Sequence, residues 1–218
     1  MSMRYTEVFN SIPYLLQGVG TTLEITIYAL FLGAFFGLLL ALARVYGGNI
    51  SRRFAIFYSR IIRSLPLLVI LFLLFYLGTE VINFSEFQAV ILALAIHTSA
   101  YQSEIFRGSI QSISKGQMEA ALALGMSKTQ GIFTIILPQA LRRAIPYWGN
   151  EASIVLKDSS FAYVLGVLEI LRRGEFVIAR TGQALITYII VGIIYLILTS
   201  ILTKCLSIGE RKFRIPGL

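Results

Sequence analysis

The chain has 218 residues, 56% of them hydrophobic and only 14% charged, with a mean hydropathy of +0.77. Soluble domains carry about 25% charged residues, so this composition excludes an ordinary soluble domain and indicates a polytopic membrane protein. A net charge of +8 would suggest nucleic acid in a soluble chain. Here the bases cluster between apolar segments, where they set orientation in the bilayer, and no nucleic-acid partner is expected. The single cysteine, Cys205, allows neither an intrachain disulfide nor a cysteine metal cluster. The N-terminus lacks a basic region followed at once by a short apolar run and a small-residue cleavage site, so no cleaved signal peptide is expected.

Residues 1–17 read as a polar and aromatic N-terminal interfacial segment. A membrane domain follows over 18–207, with spans at about 19–43, 55–77, 87–107, 142–157 and 184–206. About 20 apolar residues cross the hydrocarbon core. The first span opens on Gly20-Thr21-Thr22-Leu23 and holds one charge, Glu24. Arg44, Arg52, Arg53, Arg60 and Arg63 make the next connection basic, hence cytoplasmic. Pro66, near the start of the second span, removes a backbone hydrogen bond and kinks the helix, which a bundle tolerates when neighbours satisfy the freed carbonyl. The link Thr79–Ser85 has Glu80 and no Lys or Arg, so it faces outward.

The third span begins apolar and turns polar at His97, Thr98, Ser99, Tyr101, Gln102, Ser103 and Glu104, after which Arg107 and Lys115 mark the basic side. The fourth span is the least apolar, with Pro146, Asn150, Glu151, Lys157 and Asp158 in or beside it. Topology requires it, because Lys204, Arg211, Lys212 and Arg214 beyond the last span belong inside. Phe161–Leu171 reads as an outer interfacial helix ending in Arg172-Arg173-Gly174; with Arg180 these arginines run against the positive-inside tendency. Residues 208–218 form a cytoplasmic tail. The expected fold class is an all-α membrane protein with five transmembrane helices, N-terminus outside and C-terminus cytoplasmic.

Between the third and fourth spans, 112–138 is mixed and polar. Glu119-Ala120-Ala121 is followed by Gly125, and Ile135, Leu137 and Pro138 close the segment. Glu119–Leu124 reads as a short helix, Gly125 supplies the positive φ that stops it, and a second short helix, Thr129–Ile136, runs until Pro138 breaks it. This spacing resembles the EAA coupling loop of bacterial ABC-importer permeases, the segment that docks on a cytoplasmic ATPase. The resemblance assigns ATPase coupling to Glu119, Ala120, Ala121, Gly125, Leu137 and Pro138.

From Gly18 to Leu206 the chain is similar to the polar amino-acid branch of those permeases, the histidine/glutamine/arginine uptake family. The matching stretches are Gly20-Thr21-Thr22-Leu23, Arg63-Ser64-Leu65-Pro66-Leu67-Leu68, Ala100-Tyr101-Gln102-Ser103-Glu104-Ile105-Phe106-Arg107-Gly108, Leu137-Pro138-Gln139-Ala140-Leu141-Arg142 and Leu156-Lys157-Asp158-Ser159-Ser160-Phe161. The resemblance implies a type I, MetI-like permease fold in the bacterial plasma (inner) membrane. It also implies a second permease subunit, as homodimer or heterodimer, an ABC ATPase dimer, and an extracytoplasmic solute-binding protein. The chain has no GxxxxGK followed by Ser or Thr, so ATP and Mg belong to the partner ATPase and no cofactor is expected on this chain. Neither clustered metal ligands nor a nucleophile with a base in reach is evident, and no enzyme is expected.

Ionisable groups inside a span cost roughly 2.5–3.5 kcal/mol each on insertion scales. Glu151 and Asp158, seven residues apart, fall on one helical face about 10 Å apart along the axis. Two carboxylates so placed suit a solute with a cation at each end, such as arginine or lysine. Two alternatives stay open: pairing with Lys157, Arg63 or Arg107, and, for Asp158, a place in water at the outer interface. Thr98 and Gln102 share another face, as hydrogen-bonding partners of an amino-acid backbone or as glue between helices. His97 and Leu67 complete the substrate-binding candidates: His97 is otherwise a packing residue or a proton relay, and Leu67, just after Pro66, is a candidate hydrophobic gate. Glu104 fits a structural pairing with a basic residue better than specificity.

The reading that follows is a permease subunit that moves a polar, basic amino acid (arginine, lysine or histidine) by alternating access. The same permease for glutamine or glutamate is the nearest alternative. An ion-coupled secondary transporter using Glu151, Asp158 and His97 for protons is the rival class, opposed by the coupling loop and by the lack of an evident inverted repeat. A membrane anchor without transport would leave the carboxylates costly and purposeless.

Overall fold

Residues 2–81 and 83–213 are described in a computed structural model. They are all-helical, with no strand among them. In chain order the helices are α1 (Ser2–Asn10), α2 (Ile12–Leu16), α3 (Gly18–Tyr46), α4 (Asn49–Ser64), α5 (Leu67–Val81), α6 (Glu86–Gln111), α7 (Lys115–Ala123), α8 (Lys128–Gln130), α9 (Leu137–Asp158), α10 (Ile170–Thr181) and α11 (Ala184–Phe213). A π-helical stretch, Gly131–Ile136, joins α8 to α9, and a 3₁₀ helix, Ser159–Leu165, follows α9.

Two compact units are formed. Unit 1 comprises Met1–Phe31, Leu65–Ile96 and Ala152–Leu202; unit 2 comprises Leu32–Ser64, His97–Glu151 and Thr203–Leu218. The core of unit 1 gathers Val8, Leu15, Ile170, Val177, Ile190, Val191 and Ile194. Gly18 lets α3 begin directly on the backbone of Glu169 and Ile170, since a Cβ there would lie 2.6 Å from the Ile170 nitrogen. In unit 2 the core gathers Ala41, Phe106, Ile110, Ile113, Ile136, Ala140 and Ala144. Gly37 brings α3 against α6: a Cβ would sit 2.9 Å from the Ser99 carbonyl oxygen. Close approach through small residues is how membrane helices gain packing contact when lipid already satisfies apolar surface.

By length and composition, Gly18–Tyr46 and Ala184–Gly209 can cross a membrane, and a third span is added if α4 and α5 count as one broken helix pair. The expected five is therefore not reached on hydropathy. At 26 and 22 residues, α6 and α9 are about 39 and 33 Å long, enough to cross. Their buried polar residues, among them Thr98, Gln102, Ser103, Glu151 and Ser153, lower the hydropathy.

Four local expectations are corrected. The second span, read as one kinked helix over 55–77, is interrupted: α4 stops at Ser64 and α5 begins at Leu67, with the Pro66 carbonyl accepting from the Val69 and Ile70 N–H groups. Proline lacks the N–H and disfavours helical φ/ψ in the residue before it, so the break falls there. Pro138, read as a helix breaker, lies in the first turn of α9 and breaks nothing. Ahead of it the bonding register widens, with the Leu137 N–H donating to the Ile132 carbonyl, and a proline is tolerated in a first turn, where N–H groups lack helical partners. The outer helix read over 161–171 is instead two elements. Gly166, at φ +85°, stops the 3₁₀ helix, and the Glu169 carboxylate accepts from the Leu171 and Arg172 N–H groups to start α10. Arg172, Arg173 and Gly174 are thus inside α10. The last helix also continues past 206 to Phe213, into the stretch read as tail; 214–218 lie outside the described residues.

Candidate functional site

Unit 2 holds a chain of hydrogen bonds between α6 and α9. The Trp148 indole N–H donates to Gln102 Oε1 at 2.7 Å. Gln102 Nε2 donates to Thr98 Oγ1 at 3.1 Å, and the Thr98 hydroxyl donates to Glu151 Oε1 at 2.6 Å. Thr98 and Gln102 are four apart on α6 and Trp148 and Glu151 three apart on α9, the spacings that stack side chains on one helical face. Thr98 and Gln102 are fully buried and Glu151 is 6% exposed. Three of the residues singled out in the sequence therefore meet. Trp148 was not singled out; the only tryptophan in the chain, three residues before a carboxylate inside a span, was the available signal.

His97 is half-buried and packs on Tyr101, with ring centroids 5.0 Å apart. Leu67, buried at the start of α5, and Asp158, half-buried at the end of α9, both belong to unit 1.

The arginines weighed as partners of the span carboxylates are engaged by Glu104. Its carboxylate pairs with Arg44, with Arg63 at 3.3 Å and with Arg107 at 2.8 Å, and accepts from the Ser59 hydroxyl. Arg63 also lies over the Tyr101 ring, 5.4 Å from its centroid. One carboxylate thus gathers cations from α3, α4 and α6 within unit 2. This is the pairing expected of Glu104.

The 112–138 stretch forms an exposed helix, a forced turn and a second helical entry. α7 exposes Glu119 and Ala120 and buries Ala121. Gly125 takes φ +81°, and the Ser127 hydroxyl accepts from the Gln130 N–H while the Gln130 side chain accepts from the Ser127 N–H, a reciprocal cap on α8. Gly131 lets α7 close on this entry, since a Cβ there would meet the Met118 sulfur at 2.9 Å. Leu122, Leu124 and Phe133 are exposed, Leu137 is half-buried and Pro138 exposed. A cavity of about 520 Å³ beside α7 is lined by Tyr46, Gln111, Lys115, Met118, Glu119 and Lys128, among others.

Long apolar helices, a buried chain of polar bonds between two of them and an exposed glycine-turned segment are consistent with a membrane transport component. The chain belongs to the family of binding-protein-dependent transport system inner membrane components, whose model matches residues 33–208. It is similar to the glutamine transport system permease protein of Escherichia coli, 37% identical over 99% of this chain and 100% of that one. The nopaline transport system permease protein of Agrobacterium fabrum is likewise 37% identical, over 93% of this chain and 89% of its own. Among solved structures, an amino acid ABC transporter crystallised with histidines matches with a TM-score of 0.85 and 35% identity, covering 94% of this chain and 96% of that one. An inward-facing structure of the MetNI methionine ABC transporter, at 20% identity, matches with a TM-score of 0.82 over 94% and 99% of the two chains and so bears on the fold alone.

The fold is that of a type I, MetI-like importer permease. The chain is the membrane permease of an ABC importer for amino acids, a transport component and not an enzyme, with ATPase and binding protein as partners.

Proposed function

We infer that this permease moves a polar amino acid and favours basic ones, with the chain of bonds in unit 2 as the part of the transport path that meets the solute. The observation that carries this reading is the burial of the Glu151 carboxylate at the end of the Trp148–Gln102–Thr98 hydrogen bonds. An ionisable group inside a membrane bundle marks a functional site by default, and a carboxylate suits a cationic solute. Thr98 and Gln102 add hydroxyl and amide groups suited to an amino-acid backbone. The similar proteins named for glutamine and nopaline, and the solved transporter with histidines, agree with a solute rich in nitrogen.

In this account the binding protein delivers the solute from outside to a permease dimer, homomeric or heteromeric. ATP and Mg bind the partner ATPases, whose closure moves Glu119, Ala120, Ala121 and the turn at Gly125, with Leu137 and Pro138 passing the motion into α9. The N-terminus lies outside and the C-terminus in the cytoplasm of a bacterium. Leu67 acts as a gate, and Asp158 serves as a second carboxylate on the way. His97 packs on Tyr101 and serves as a packing residue.

A second reading, glutamine as the solute, is favoured by the Escherichia coli relative. ATP-driven uptake into proteoliposomes separates the two. With Glu151→Gln, uptake of labelled arginine falls at least tenfold while labelled glutamine, offered with its own binding protein, falls much less. Equal losses of both would mean that Glu151 reads the α-ammonium common to all amino acids, and the basic preference would fail.

A further inference from the structure

Helix α4 (NISRRFAIFYSRIIRS) has four arginines and no acidic residue. At about 100° per residue its side chains fall on three faces. Ala55 and Ser59 are buried within unit 2, where Tyr58 meets the Ser99 hydroxyl and Ser59 donates to the Ala100 carbonyl. A second face lines up Ile50, Phe54, Phe57 and Ile61, which are 87%, 63%, 64% and 40% exposed. Next to it lie Arg53 and Arg60, one above the other on the helix, with Arg52 at the far margin of the same polar face, all three exposed. Arg63 is drawn away to Glu104 and Tyr101.

We propose that α4 is an interfacial helix that binds the anionic phospholipid headgroups of the leaflet it faces. Ile50, Phe54, Phe57 and Ile61 enter the acyl boundary, while Arg52, Arg53 and Arg60 lie on the phosphates. The occupant must present an apolar layer bordered by a continuous negative layer, because the exposed apolar stripe adjoins a stripe of arginines with no acid among them. An anionic bilayer surface has that order of layers, and a guanidinium offers a phosphate two parallel hydrogen bonds. This surface is separate from the Glu151 chain of bonds, so the inference stands whichever amino acid is moved.

The test is the lipid retained by the detergent-purified permease–ATPase complex when phosphatidylglycerol and phosphatidylcholine are offered in equal amounts, counted by native mass spectrometry. Wild type retains phosphatidylglycerol in preference. The variant Arg52→Gln/Arg53→Gln/Arg60→Gln lowers that preference at least tenfold, since each basic residue near an anionic surface contributes about fivefold. Arg53→Gln alone lowers it about fivefold and keeps the test open if the triple variant does not assemble. An unchanged preference in either variant overturns the proposal. So does efficient cross-linking of Phe57→Cys to a second permease subunit or to the ATPase, which would mean that protein covers this face.

Discussion

Trp148 is joined to Glu151 through two other side chains, Gln102 and Thr98, so its removal separates scaffold from solute chemistry. Trp148→Phe keeps most of the ring and deletes the N–H that serves Gln102. A buried acceptor left without its donor costs about 1–3 kcal/mol, so the purified permease should melt several degrees lower while uptake persists. A loss of uptake with unchanged melting would mean that the indole touches the solute. Thr98, Gln102 and Glu151 were legible in the sequence because polar groups inside an apolar span are conspicuous and their spacing fixes the face they share. Trp148 was not, because an indole counts as apolar and its one donor finds a partner only in three dimensions. Asp158 was tied to Glu151 by helical spacing, and both lie on the continuous helix α9.

Helix boundaries were less legible than side chains. Pro66 and Pro138 are alike in the sequence, yet one separates two helices and the other begins one. The difference lies in what precedes each: Pro66 follows an α-helix whose last residues cannot stay helical before it, whereas Pro138 follows a π-helical turn that has already changed register. No residue type encodes that register change. Gly166 and Glu169 together place the start of α10, a stop and a cap that are individually common and decisive only as a pair. Gly125 was the clearest signal, and it carries its own prediction. Gly125→Val must hold a β-branched residue at φ +81°, at a cost of about 1–2 kcal/mol. The turn between α7 and α8 should then open, so that uptake falls severalfold while ATP hydrolysis by the assembled complex continues. Proportional loss of both would mean that the variant fails to assemble.

Across the whole chain, basic clusters carried more information than hydropathy. Among the described residues two helices qualify as spans unaided, because α6 and α9 bury polar residues that lower their hydropathy. The orientation assigned from Arg44, Arg107, Arg142 and Lys204 predicts that Ser127 is cytoplasmic and Ser160 external. In a Cys205→Ser background, a membrane-impermeant thiol reagent should label Ser160→Cys on intact cells and Ser127→Cys only after permeabilisation. The reverse pattern would invert the topology. The family relation was visible in the sequence because several short motifs occur in order over nearly the full chain, and the match over 33–208 agrees. Solute identity was not, because a carboxylate suits any amino acid through its α-ammonium.

The most direct measurement is equilibrium binding of labelled arginine, histidine, glutamine and glutamate to the purified permease–ATPase complex without the external binding protein, comparing wild type with Glu151→Gln. The account predicts binding of arginine or histidine that Glu151→Gln abolishes. Absence of binding by all four would contradict it, leaving specificity to the binding protein and this chain as a gated path.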